Sequence, residues 1–144
     1  MAITSAICNS FKVEILTGTH NFTASSGDTF NLALYTSSAT LSKSTTAYTT
    51  SNEVATASGY TAKGKALTSV TPVLSTDTAV CDFSNVSWTS ASFTSRGCLI
   101  FNDTATGDPA VCAIDFGGDK TVTSGTFTIE FPAASAGTAI IGIA

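Results

Sequence analysis

Charge is what this sequence has least of. Six residues are Lys or Arg and ten are Asp or Glu among 144, for a formal net charge of −4. The six cations, Lys12, Lys43, Lys63, Lys65, Arg96 and Lys120, are dispersed along the chain. Neutralising phosphates needs clustered Lys or Arg, so a nucleic-acid partner is not expected. Histidine occurs once, as His20. With no nucleophile or metal companion near it in sequence, it reads as a structural residue rather than a proton-transfer group. No stretch approaches the roughly 20 apolar residues that span a bilayer. Met1–Ser5 has no basic segment followed by an apolar run, so no secretory signal is expected and the chain is expected to fold in a reducing cytosol. The four cysteines, Cys8, Cys81, Cys98 and Cys112, show no CxxC spacing. They read as small buried apolar side chains, with a disulfide or a metal site as the alternatives. No catalytic residue, metal site or cofactor is assigned.

What fills the space instead is hydroxyl. Ser and Thr supply 45 residues, 19 and 26 respectively. Hydroxyl groups on the wet face of a strand do not repel a neighbouring copy of themselves, so the composition suits close packing in an assembly. Hydrophobic residues still make up 43% of the chain, with nine Phe, enough for one ordinary core. The expectation is a single domain over residues 1–144 that is structural rather than catalytic.

Residues 4–17 carry the one helical pattern. Thr4 or Ser5 is placed to cap it, Ile7, Phe11 and Ile15 follow at a spacing of four, and Gly18 is placed to end it. That stripe either covers the domain's own sheet or faces a neighbouring subunit. Residues 28–143 read as strands. Asp28–Thr36 alternates, with Phe30, Leu32 and Leu34 on one face and Asn31, Ala33 and Tyr35 on the other. Lys65–Leu74 and Thr78–Phe83 form a hairpin around Ser75–Asp77. Phe93–Asn102 and Ala110–Phe116 form the most hydrophobic pair, joined by Asp103–Pro109, and Gly117–Lys120 reads as a further turn. Thr126–Phe131 points Phe127, Ile129 and Phe131 inward, and Thr138–Ile143 closes the chain. Residues 37–64 are long for a connection, anchored only by Tyr48, Val54 and Tyr60; short edge strands, a functional loop or ordering by a neighbour would account for them. The fold expected is mainly β, an antiparallel β-sandwich of about seven to nine short strands with one N-terminal α-helix.

Asp103, Asp108, Asp115 and Asp119 lie near one another in sequence and could bind Ca²⁺ at a sandwich edge, although turn-forming Asp explains each one singly. Asp115-Phe116-Gly117 matches the kinase magnesium motif, but the rest of the kinase signature is missing. Trp88, Tyr35, Tyr48 and Tyr60 could stack a glycan if exposed together. The residues assigned to a partner interface are Ile7, Phe11, Ile15, Tyr48, Val54 and Tyr60.

Five stretches, CNSFKVEIL at Cys8–Leu16, TFNLALYTSSATL at Thr29–Leu41, TTAYTTSNEVATASGY at Thr45–Tyr60, FTSRGCLIFN at Phe93–Asn102 and the DFGGDKTVTSGTFTIEF core of Ala113–Phe131, resemble a family of small virion structural proteins of tailed bacteriophages. The resemblance spans nearly the whole chain and brings no catalytic motif. It implies a virion component, assembled in the bacterial cytoplasm, that contacts the major capsid protein or other virion proteins and forms a homo-oligomer. A capsid decoration (cement) protein is the leading expectation. A tail or tail-fibre component, either a tube subunit or a glycan-binding adhesin, is the alternative.

Overall fold

FNLALY is apolar at every position but Asn31, and the fold is built around that segment. The structure, a computed structural model, describes residues 2–144. The chain runs β1 (Ala6–Ile7), α1 (Asn9–Leu16), β2 (Phe30–Tyr35), β3 (Lys65–Ala66), β4 (Ser69–Ser75), β5 (Thr78–Phe83), β6 (Val86–Asn102), β7 (Ala110–Ile129) and β8 (Ile141–Ile143). Two sheets form, ordered β1-β7-β6-β2-β3 and β4-β5-β8, and every ladder between these strands is antiparallel. This is a mainly β sandwich with a single helix, as the alternation of the sequence implies.

All six residues of β2 are buried. The expected division into an inward and an outward face is therefore too simple. Phe30 stacks on Phe22 at 4.2 Å and meets Phe83 of the small sheet, filling the inter-sheet layer. Along the edge of β2 beyond β3, Val54 N–H donates to Leu34 O and Leu34 N–H donates to the Tyr60 hydroxyl. The Tyr35 hydroxyl donates to Thr49 O and the Asn31 amide to Lys63 O. The segment 37–64 is thus ordered by its own chain, with Ala39, Leu41, Val54 and Tyr60 buried, and it seals a strand edge that would otherwise be open.

The helix is shorter than its sequence pattern. Residues preceding Asn9 are extended: Thr4 N–H donates to Leu41 O, and Ala6 and Ile7 pair with Ala113 and Cys112. Ser5 caps nothing in α1; its hydroxyl accepts the Asp115 N–H at 2.8 Å. Cys8 holds the N-cap position without a side-chain cap. Backbone pairing on the large sheet outcompetes the first turn, which by itself would leave four N–H groups unpartnered. The helix end does follow the sequence. Gly18 at φ +77° lets Thr19 N–H reach Glu14 O at 3.0 Å and Gly18 N–H reach Ile15 O, closing a Schellman motif.

Gly117–Lys120 is not a turn that ends a strand. β7 runs through it opposite β6, and between the pairs Ser95–Lys120 and Gly97–Asp115 the β6 strand advances two residues while β7 advances five. The additional residues bulge out at Gly117, φ +80°. In the half beyond it, 86–95 with 120–129, the two strands differ: Val86, Trp88 and Ala91 of β6 stay buried in the core, while the β7 residues opposite them are more open. Phe127, Ile129 and Phe131 accordingly pack only half-buried against the core.

Candidate functional site

Three clusters gather the polar chemistry of the chain. The first is Glu53. Its carboxylate accepts from the hydroxyls of Tyr48 and Tyr60, both at 2.6 Å, and from Lys63 N–H at 2.8 Å. Burial and this carboxylate push the Tyr48 phenol up to about 12. Burial pushes Tyr60 and Tyr35 above the ordinary phenol value, with Glu53 adding to both. Phenols held protonated donate hydrogen bonds but do not act as bases, so the cluster is a clamp on the 48–63 segment.

The second cluster surrounds His20, whose side chain is wholly buried among Phe11, Phe22 and Phe30. The Oδ1 atom of Asn102 accepts Thr104 and Ala105 N–H, which turns its amide nitrogen toward Asp28 at 2.8 Å and toward His20 Nδ1 at 3.1 Å. Nδ1 therefore accepts, and Nε2 donates to Glu14 at 3.1 Å. Both ring nitrogens are occupied and neither reaches a hydroxyl or a thiol.

The third cluster holds the acidic loop residues that the sequence reading weighed as turn formers or as a Ca²⁺ edge. Lys63 Nζ sits between Asp103 at 2.9 Å and Asp108 at 2.8 Å, with Tyr48 beneath it at 5.7 Å. Asp108 and Asp103 hold the ammonium above the ordinary lysine value. A cation already lies between these carboxylates. Asp119 pairs with Arg96 at 2.9 Å, and Asp115 accepts Gly117 N–H at the bulge. The four carboxylates do not converge, and among the described residues no group of His, Cys, Asp or Glu has a metal-binding arrangement.

The cysteines are all free; Cys8, Cys98 and Cys112 are buried and Cys81 half-buried. Burial pushes the Cys8 thiol up to about 11 and Cys112 to about 12, and raises Cys98 and Cys81 as well. Such thiols are poor nucleophiles.

The aromatic platform does not form. Tyr35, Tyr60 and Trp88 are fully buried, and Tyr48 stacks on Phe101 at 4.7 Å. Of the residues assigned to a partner interface, Phe11, Val54 and Tyr60 lie in the core, while Ile7, Ile15 and Tyr48 are half-buried and packed against it. The apolar residues that do face solvent are Val13 and Leu16 on α1, Val70, Val73 and Leu74 on β4, and Ile143 on β8. Sequence spacing placed β4 in its hairpin but did not show that its apolar residues would be exposed; the strand count of each sheet would have been needed for that.

The surface with a definite chemistry is the outer face of the β6–β7 ribbon. Trp88 and Ala91 are buried on its inner side. Outward stand Ser87, Thr89, Ser92, Thr94, Thr121, Thr123, Thr126 and Thr128, all exposed except Ser87. The Ser87 and Thr128 hydroxyls meet at 2.8 Å, as do those of Thr94 and Thr121. No charged residue occurs in 86–95 or 121–129. Alternation sets these hydroxyls outward in two runs on each strand, and the irregularities around Ser90 (φ +48°) and Ser124 (φ +46°) shift its phase so that both runs share one face.

No family model matches the chain, and neither a curated protein nor a solved structure matches it.

Proposed function

We propose that this chain is a non-enzymatic structural protein of a bacteriophage virion, specifically a decoration protein that seats on the capsid lattice and bridges neighbouring capsid subunits. The observation that carries the reading is the uncharged hydroxyl face of the β6–β7 ribbon. It offers donors and acceptors across two paired strands, with no like-charge repulsion against repeated copies of a partner. Cross-strand hydroxyl pairs fix the side chains in advance, which lowers the ordering cost of docking. Within this reading the Glu53 clamp and the buried His20 hub hold the long loop and the helix onto the sandwich and take no part in chemistry.

The test adds purified protein to expanded, undecorated heads and images the particles by electron microscopy. Ordered added density at symmetry positions supports the proposal, and Thr94→Lys with Thr121→Lys should abolish it while leaving the fold intact. Saturating protein without ordered binding rejects it. A tail or fibre component is the second reading, and the unpaired edges of the three-stranded sheet favour it. Assembly of the purified protein into stacked tubes of one repeat would decide for that reading.

A further inference from the structure

The two free edges of the small sheet differ from one another in a way that makes them complementary. Leu74 stands opposite Ala79 and Ala79 opposite Ile143, so these three side chains form one row on one face of the sheet. Beside that row, between β8 and α1, runs an apolar groove of about 310 Å³ lined by Phe11, Ile15, Leu16, Ile141 and Ile143. Leu16 is 88% exposed and Ile143 54%. Among the described residues no backbone hydrogen bond leaves the outer edge of β8 or of β4. An unpaired strand edge beside an apolar groove accepts an extended strand, which supplies backbone bonds and one side chain for the groove.

The strand that fits is on the opposite edge of the same sheet. β4 is irregular between Val70 and Val73, and Thr71 is engaged by Ala24 N–H. That leaves Val73–Ser75 as its regular segment, the same length as β8, its backbone edge open although the Ser75 hydroxyl accepts Ala136 N–H at 3.0 Å. Leu74, 73% exposed, projects from it on the groove-bearing face of the sheet. Residues 66–76 and 131–144 carry no charge at all. Asp77 stands at the tip of the β4–β5 turn and Lys12 on the groove wall. Among the described residues neither is in an ion pair, and the Lys12 ammonium donates to Asn9 Oδ1. Joining β4 to β8 brings opposite charges to one interface. Joining like edges brings no such opposite pair.

We infer that copies of this chain associate head to tail, the Val73–Ser75 edge of one copy extending the β8 edge of the next, with Leu74 entering the groove beside α1. The contact is heterologous, so it generates closed rings or open filaments rather than a sealed dimer. It is independent of the virion reading, because it rests on the two edges alone.

Two exposed substitutions test it by sedimentation velocity across a concentration series. Leu74→Lys blocks the β4 edge and Ile143→Lys the β8 edge, and circular dichroism with thermal melts establishes that both fold. The wild type is expected to form concentration-dependent oligomers larger than two, and each variant alone to be monomeric. An equimolar mixture of the two is expected to give dimers and nothing larger, since each variant retains one competent edge and only one pairing is possible. Lys12→Glu or Asp77→Lys should weaken association about tenfold, and the double charge reversal should restore it, about 1.4 kcal/mol each way. A wild type that stays monomeric at every concentration overturns the inference. So does a Leu74→Lys or Ile143→Lys protein that still dimerises by itself, or a mixture that remains monomeric.

Discussion

β2 and β4 are short apolar strands of nearly equal length, FNLALY and SVTPVLS, yet β2 is buried at every residue and β4 is exposed at its five central ones. Composition does not separate them. Position does: β2 lies between β6 and β3 and is covered by the 37–64 segment, while β4 is the outermost strand of a sheet with three members. The same side chains therefore stabilise the fold in one place and remain available for contact in the other. The sharpest way to break this comparison is truncation at matched sites. Phe30→Ala, which removes a side chain packed against Phe22 and Phe83, should cost about 3–5 kcal/mol. Leu74→Ala should stay within about 0.5 kcal/mol of wild type. Urea denaturation measures both, and similar costs at the two sites would mean that β4 is covered in solution.

Legibility in the sequence followed the same division. Local signals were readable: the β4–β5 hairpin, the Asp103–Pro109 connection and the Gly18 helix stop each depend on residues near one another in the chain. Non-local competition was not. Nothing near Thr4 or Ser5 reveals that Leu41 and Asp115 will claim them, and nothing in Gly117-Gly118 reveals that β6 continues opposite. The candidate interface suffered likewise. Val54 and Tyr60 look like isolated anchors in a polar stretch, but they are the residues that close the β2 edge. The hydroxyl face could be read as short alternating runs but not as one surface, because that required β6 and β7 to be paired and the alternation to change phase around Ser90 and Ser124.

A second way to sharpen the comparison acts on the cover over β2. Glu53 alone ties Tyr48, Tyr60 and the Lys63 backbone together. Glu53→Ala leaves buried donors without an acceptor and should cost about 2–3 kcal/mol. Limited proteolysis and hydrogen exchange should then show residues 48–63 opening well before the β4–β5–β8 sheet does. Unchanged protection of that segment would mean the apolar anchors hold it without the carboxylate.

Alkaline pH provides a probe without mutation. Folding raises the Tyr48 phenol to about 12 and the Cys8 and Cys112 thiols to about 11 and 12. A raised value means that the unfolded chain releases these protons first, so the stabilisation is complete below the ordinary thiol and phenol values and falls as pH rises through about 9 to 12. The melting temperature should be flat from neutral to pH 9 and decline steeply above it. At pH 8 the buried thiols should resist a disulfide reagent until the protein unfolds, with Cys81 reacting first. Early reaction of Cys98, which pairs within the central sheet opposite Ile114, would show that the well-covered region opens as readily as the edge.

A small effect is expected at Lys63, and it separates geometry from energy. Its two ion pairs are short, yet its side chain is 44% exposed and those of Asp103 and Asp108 are 33% and 26% exposed. Water and salt screen such pairs, and holding a long side chain in place offsets part of the attraction, so Lys63→Met should cost no more than about 1 kcal/mol. That loss should shrink further in molar salt, whereas the Phe30→Ala loss should not. A Lys63 variant as damaged as the Phe30 variant, and insensitive to salt, would show that the ammonium is held in a drier site than its exposure implies. The 48–63 cover would then depend on charge as much as on the apolar contacts of Val54 and Tyr60.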